Sequence, residues 1–187
     1  MEVLCFDFLN SDWRDWRGSG RREDRLLNEE WLKSFLEKWD LAADPVLEED
    51  TYQVLVRLRA RLQKMVEALV NHQSLSPTDI TFLNEWLQQT SYHLQLVGHL
   101  DKFKLEQVAA ATGWTLVMGQ IVRSFAELLA HNDVRRIKIC INKDCRWVFY
   151  DESRNRSRQW CDPRMCGNLL KVRRFRERKK GTKGRAR

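Results

Sequence analysis

Hydrophobic positions recur at steps of three and four over much of the chain, the period of helices packed by one face. Trp31, Leu32, Phe35, Leu36 and Trp39 form one such stripe. Asn28 stands before it as a helix cap, and Glu29 and Glu30 are placed to complement the helix dipole. After a break at Pro45, Leu55, Leu58, Leu62, Met65 and Leu69 predict a long helix over residues 48–71. That stripe also suits the seam of a homodimer. Ser76, Pro77 and Asp79 mark the next helix start, Ser as cap, Pro in the first turn and Asp in the capping-box position, with Ile80, Leu83 and Leu87 as its inner face. Val117, Ile121, Phe125 and Leu128 define a further helix over residues 114–131.

The period shortens to two in residues 92–97 and 102–108, with a turn at 98–101 between them, which predicts a β-hairpin. His93 and His99 beside it have no partner at metal-ligand spacing and read as surface residues. VLCFDFL, residues 3–9, reads as a buried strand that joins the hairpin in a small antiparallel sheet against the helices, with Cys5 as a core hydrophobe. Residues 10–25 are polar and glycine-containing, so no regular structure is expected there. Asp7 interrupts an apolar run and must be paired or hydrogen-bonded if buried. It caps the following turn or meets a ligand, and Asp7, Asn10 and Trp13 are the candidate ligand pocket. The fold class is α+β: a mostly helical N-terminal domain with a small sheet, residues 1–134, serving as a sensor or dimerisation domain.

Charge divides the chain at the same point. Residues 1–134 carry 14 Lys and Arg against 21 Asp and Glu, a net of −7, whereas residues 135–187 carry 19 against 5, a net of +14. An acidic body with a basic terminus points to a polyanionic partner. No run approaches the roughly 18 apolar residues of a membrane span, and MEVLCFDFLN lacks the basic start and apolar run of an export signal. A cytoplasmic protein with no membrane partner is expected.

Within the basic part lies CINKDCRWVFYDESRNRSRQWCDPRMC. Cys140 and Cys145 enclose four residues, Cys161 and Cys166 enclose four, and fifteen separate the pairs. Two tight turns bearing two thiolates each suit one structural, tetrahedral Zn²⁺. Disulfides compete for such cysteines in oxidising compartments, and a redox switch is a further use of the same thiols. His131 lies near the set but is not needed to complete it. Residues 136–141 and 146–151 read as short strands around the first turn, and Trp147, Phe149 and Trp160 as a minimal core for a module that relies on metal to fold.

Beyond Cys166, residues 169–180 contain Glu177 as the only acidic residue, and Asn168 suits a helix cap. A basic C-terminal helix is expected, with Leu169, Leu170, Val172 and Phe175 anchoring one side and GTKGRAR as a disordered basic arm. Arg154, Arg156, Arg158, Lys171, Arg173, Arg174, Arg176, Arg178, Lys179 and Lys180 are the candidate nucleic-acid contacts. Arg146, Arg158 and Arg164 offset part of the charge of four thiolates on zinc. That accounts for about two charges of the fourteen.

The run WVFYDESRNRSRQWCDPRMCGN, with the upstream cysteine pair and the basic KVRRFRER after it, resembles the CGNR zinc finger. In that family the finger follows an ABATE domain, described as a stress-induced transcription regulator. The opening VLCFDFLNS is similar to that domain's start. The resemblance implies zinc ligation by Cys140, Cys145, Cys161 and Cys166 and DNA binding by the finger and tail of a non-enzymatic, nucleoid-associated regulator of unknown effector. Leu169 stands where the name-giving arginine of the family follows Cys-Gly-Asn, so that arginine's contact is absent or taken by a neighbour such as Lys171. The alternative partner is single-stranded RNA, for which Trp147, Phe149, Tyr150 and Trp160 interleaved with arginines would be stacking surfaces. No glycine-rich phosphate loop, nucleophile elbow or His-Glu-x-x-His helix appears in the sequence.

Overall fold

The structure is a computed structural model that describes the backbone of residues 1–183 and the side chains of residues 1–179. The contact expected of Lys180 and residues 184–187 of the expected arm lie outside the described residues, whereas residues 181–183, expected to begin that arm, continue the last helix. Six helices and three two-stranded antiparallel sheets follow one another along the described chain, an α+β arrangement dominated by helix.

The opening apolar segment is not a strand. Leu4–Leu9 forms a six-residue helix, α1, in which Leu4, Cys5, Phe6, Phe8 and Leu9 are all buried. A short helix surrounded by protein shows no polar face, so its sequence carries no period of 3.6, and its aromatic content imitates a strand. Asp7 is its outward position, accepting from Lys38 Nζ at 2.7 Å and from Trp39 Nε1 at 3.0 Å. The polar stretch that follows is more regular than expected: β1 (Asp12–Arg14) pairs with β2 (Arg22–Asp24).

The helical stripes behave as predicted. Asn28 Oδ1 caps α2 (Glu29–Lys38) by accepting from Trp31 N at 3.0 Å. In α3 (Glu49–Val70), Leu55, Leu58, Leu62 and Met65 are all buried, so this stripe faces the chain's own core and cannot serve as a dimer seam. Ser76 and Asp79 close the capping box of α4 (Pro77–Gln89), where Leu83 is buried but Ile80 is exposed. α5 (Gly113–His131) buries Val117, Ile121, Val122, Phe125 and Leu128 and packs against α1 and α4. No helix among the described residues is long and apolar enough to cross a membrane.

The predicted hairpin exists as β3 (Tyr92–His99) and β4 (Lys102–Ala109), paired residue for residue. It does not join α1, which is helical, and it is exposed along nearly its whole length. The third hairpin, β5 (Ile137–Ile139) with β6 (Val148–Tyr150), sits at the start of the cysteine-rich region. Ile137 and Val148 belong to the main core with Phe8, Leu62 and Phe125. Full burial of a side chain of this size is worth about 1.5–3 kcal/mol, so β5 and β6 contribute to the body as well as to the cysteine region. After them comes α6 (Asn168–Lys183).

Two polar devices fasten distant elements. Arg59 on α3 grips the Asp24 carboxylate with both terminal nitrogens, at 2.7 and 2.5 Å, and reaches Ser11 Oγ at 2.7 Å. Burial acts to raise the Asp24 pKa, but Arg59, Leu26 N and Tyr52 outweigh it and hold the carboxylate below its ordinary range. The second device is Asn10. The pairs Ile139–Val148 and Cys140–Trp147 share one register, and Cys140 N bonds Trp147 O at 2.9 Å. Alternation in an antiparallel ladder therefore turns the Val148 N–H and C=O away from β5. Asn10 takes both: Val148 N donates to Oδ1 at 2.8 Å, and Nδ2 donates to Val148 O at 3.0 Å.

Candidate metal centre

The first cysteine pair brackets the turn between β5 and β6. Cys145 N and Arg146 N both bond Asn142 O, at 2.9 and 3.1 Å, and Arg146 takes a left-handed φ of 55° to close the loop. The second pair brackets a short, wide helical turn, Pro163–Gly167, that leads directly into α6. Asp162 caps this turn through Arg164 N at 2.6 Å and Met165 N at 2.9 Å. Ile141 N donates to Gln159 O at 3.0 Å and holds the two turns face to face.

All four sulfurs lie within 4.8 Å of one another. A tetrahedral Zn²⁺ with Zn–S of about 2.3 Å requires sulfur–sulfur edges of about 3.8 Å. Cys145–Cys161 at 3.6 Å and Cys161–Cys166 at 3.9 Å meet that requirement, and they are far beyond the roughly 2.05 Å of a disulfide. Cys5 is buried elsewhere, in the main core, where burial pushes its thiol up to about 12.

The electrostatics of the cluster ask for a cation. Hydrogen bonds from the Cys145 and Cys161 thiols push Cys140 far down, to about 2, with the Cys161 and Asn142 backbone N–H groups adding to the effect. Once that thiolate forms, Cys145 is pushed up to about 12 and Cys161 is raised further by its hydrogen bonds with Cys140 and Cys145. Four thiolates this close repel one another, and a divalent ion bound among them offsets that repulsion. Zinc bound here leaves no coordination position open, so its role is structural.

A second layer orients the ligands. Asn142, almost wholly buried, donates from Nδ2 to Cys166 Sγ at 3.4 Å and to Trp16 O at 2.8 Å, and accepts from Asp144 N at 3.3 Å. Such a bond fixes a ligand's direction as well as its charge. An alanine Cβ at Gly167 would meet Trp160 Nε1 at 2.8 Å, so the indole lies flat on the backbone beside Cys166. Asp151, fully buried, accepts from Lys138 Nζ at 2.8 Å, Ser153 N at 2.9 Å and Arg158 N at 3.0 Å. Burial acts to raise its pKa, but these donors outweigh it and hold the carboxyl well below the usual carboxylate range.

The basic residues separate into two groups. Arg158 is tucked in: its guanidinium lies 4.9 Å from the Phe149 ring centroid and bonds Trp160 O at 2.9 Å and Cys161 O. Arg156 reaches Asp133 at 3.5 Å. Arg173 bonds Asp144 at 2.8 Å and Arg17 O at 2.7 Å, bracing α6 against the first turn. Arg154, Lys171, Arg174, Arg176, Arg178 and Lys179 are exposed. The apolar anchor expected on α6 is partial, because Leu169 and Leu170 are half-buried while Val172 and Phe175 are exposed. The aromatic residues proposed for stacking are turned inward: Phe149 is buried, and Trp147, Tyr150 and Trp160 are half-buried.

Asp7, Asn10 and Trp13 do not converge. Asp7 faces α2, Asn10 is bound to β6, and Trp13 carries the Arg25 guanidinium 5.6 Å from its ring centroid. Only Asn10 borders a cleft of about 400 Å³ between α3 and the first cysteine turn, which also touches Arg59, Glu67, Arg146 and Trp147. Arg146 crosses it to Glu67 at 2.6 Å. Asn10 and Asn142 had no sequence signal as structural pins, beyond asparagine's fitness for turns, because their partners are distant in sequence.

Two family models match the chain. The CGNR zinc finger covers residues 136–179, and a family described as "Putative stress-induced transcription regulator", the ABATE domain, covers residues 2–132. A search of curated proteins finds no match. A helical body of ABATE type followed by four converging cysteines is the arrangement found here, and the chain belongs to the ABATE family, closed by a CGNR zinc finger with one structural Zn²⁺.

Proposed function

We propose that the protein is a DNA-binding transcription regulator that presents α6 to the duplex. One observation carries this reading: α6 leaves the zinc centre from Cys166, and its face opposite the Arg173 brace displays Lys171, Arg174 and Arg178 to solvent. Zinc fixes the base of the helix and Arg173 fixes its bearing, so the backbone that carries the cations is ordered before binding and only their side chains have freedom to lose. Sixteen residues span about 24 Å, enough to cross a major groove about 12 Å wide. Because phosphate contacts supply affinity without reading bases, these residues account for docking and not for choice of operator. Phe149 is buried and Trp147, Tyr150 and Trp160 are half-buried, which favours duplex over stacking on single-stranded RNA in this reading. In this reading the acidic body senses a ligand or partner, and the cleft bridged by Arg146 and Glu67 is where an occupant would alter how the finger is presented.

The test is duplex binding across a salt series. Neutralising about four phosphates gives log K a slope of about −4 against log salt. Replacing Lys171 and Arg174 by Ala should flatten that slope by about 2 and weaken binding on all sequences alike, with zinc content unchanged. Unaltered affinity and slope in the double variant would overturn the assignment of α6, and preference for single-stranded RNA over duplex at matched salt would overturn DNA as the partner.

A further inference from the structure

The β3–β4 hairpin has an unpartnered face. Residues directly opposite in the register share a side, which places Tyr92, Leu94, Leu96 and Gly98 with Ala109, Gln107, Leu105 and Phe103 on one face. The other face carries His93, Gln95, Val97 and His99 opposite Val108, Glu106, Lys104 and Lys102. One side is apolar and the other mostly polar, the pattern of a sheet that covers something. Yet Leu94, Leu96, Leu105 and Phe103 are 62%, 65%, 59% and 68% exposed, and Leu100 at the tip is 81% exposed. Among the described residues no other element packs broadly against the hairpin. Its base is held by Ala110 N to Ser91 O at 2.9 Å, by Thr90 pressed against Gly119 of α5, and by the Arg123 guanidinium 5.7 Å from the Tyr92 ring centroid.

A lone two-stranded hairpin is marginally stable in water, and this one leaves its apolar residues in solvent. The tip adds a second sign. Leu100 has φ of 54°, where glycine or asparagine would relieve strain. A large apolar side chain in that conformation is explained when the side chain itself makes a contact.

We propose that the apolar face of β3–β4 packs against the same face of a second copy of this chain about a two-fold axis. Area supports this occupant. Leu94, Leu96, Leu105 and Phe103 with Leu100 at the tip, 59–81% exposed, offer roughly 500–600 Å² per copy, so two copies bury about 1,000–1,200 Å², the lower bound of a specific interface. A two-fold contact requires a self-complementary patch, and Leu94, Leu96, Leu105 and Phe103, with no charged residue of the hairpin itself on that face, meet the requirement. The opposite face stays in water with Lys102, Lys104 and Glu106. Lysines on β4 and histidines on β3 discourage edge-to-edge addition and favour contact through the face. The dimer so formed is open to solvent around its rim and should be reversible in the micromolar range.

The experiment uses the zinc-loaded full chain in equilibrium sedimentation from about 1 to 100 µM, a range that brackets such an interface. The wild type should shift from monomer to dimer, Leu96→Glu should remain monomeric, and Val97→Glu on the opposite face should dimerise as the wild type does. An equimolar mixture of Leu96→Glu and Leu96→Lys should regain dimer. Hydrogen exchange of the wild type should slow at residues 92–109 as concentration rises, a readout that depends on no variant. A wild type that stays monomeric throughout, a dimer that survives Leu96→Glu, or a hairpin that is protected only on adding phosphatidylcholine vesicles overturns the proposal.

Discussion

Replacing Asn10 by Ala tests the joint between body and finger at one residue. The substitution removes both partners of Val148 and leaves a buried N–H and C=O without protein bonds. Each such group costs about 1–3 kcal/mol when unsatisfied. A water entering from the cleft that Asn10 lines would lower the penalty. A net loss of about 3 kcal/mol is expected, a large fraction of the roughly 5–15 kcal/mol of a whole domain. In a protein of this size that corresponds to a fall in Tm of about 6–12 °C. Urea unfolding in zinc-saturated buffer, followed by tryptophan fluorescence and far-UV circular dichroism, gives the value from the midpoint and slope. A single transition moved to lower urea supports the shared core of Phe8, Ile137 and Val148. A change below about 1 kcal/mol, the net worth of one ordinary hydrogen bond, would refute the claim that Asn10 closes the open edge of β6.

Cys161→Ser or Cys166→Ser should lower zinc content and expose the region from residue 159 onward to protease, as read by metal analysis and mass spectrometry of the fragments. Gly167→Ala forces the Trp160 indole off the backbone and should weaken zinc affinity about tenfold, an overpacking cost of about 1.4 kcal/mol, measurable by competition with a chromophoric chelator. Asp24→Asn should cost about 2 kcal/mol at neutral pH through loss of the Arg59 fork. Because the folded Asp24 carboxyl lies below its unfolded value of about 3.9, its contribution is present above that pH and disappears as pH falls through the lower folded value. Wild type and Asp24→Asn should therefore converge in stability below about pH 3.9, and a constant gap across that window would contradict the pairing.

The elements readable in the sequence were those whose cues are local. Asn28, the Ser76–Asp79 box and the stripes of α2 to α5 need only neighbours three or four residues away, and the cysteine turns need only five. What could not be read depends on distance or on complete burial. α1 has no polar face to set its period. The residues of β1 and β2 are too polar and too few to declare a strand. Arg158 and Arg173 look like free cations until Phe149, Asp144 and Arg17 are brought beside them. The same holds for the pocket expected at Asp7, Asn10 and Trp13: adjacency along the chain placed them together, while Asp7 is taken by Lys38 and Trp39 and Asn10 by Val148.

Asn10 waits for a partner 138 residues downstream. At a synthesis rate of about 5–20 residues per second, the first helix is born about 7–28 seconds before the strand it must clasp. Through that interval the nascent chain carries Phe8 and Leu9 without the wall that Val148 supplies. A chain cut short before Val148 would leave both polar atoms of the Asn10 amide, at the opposite end, without the strand they bind.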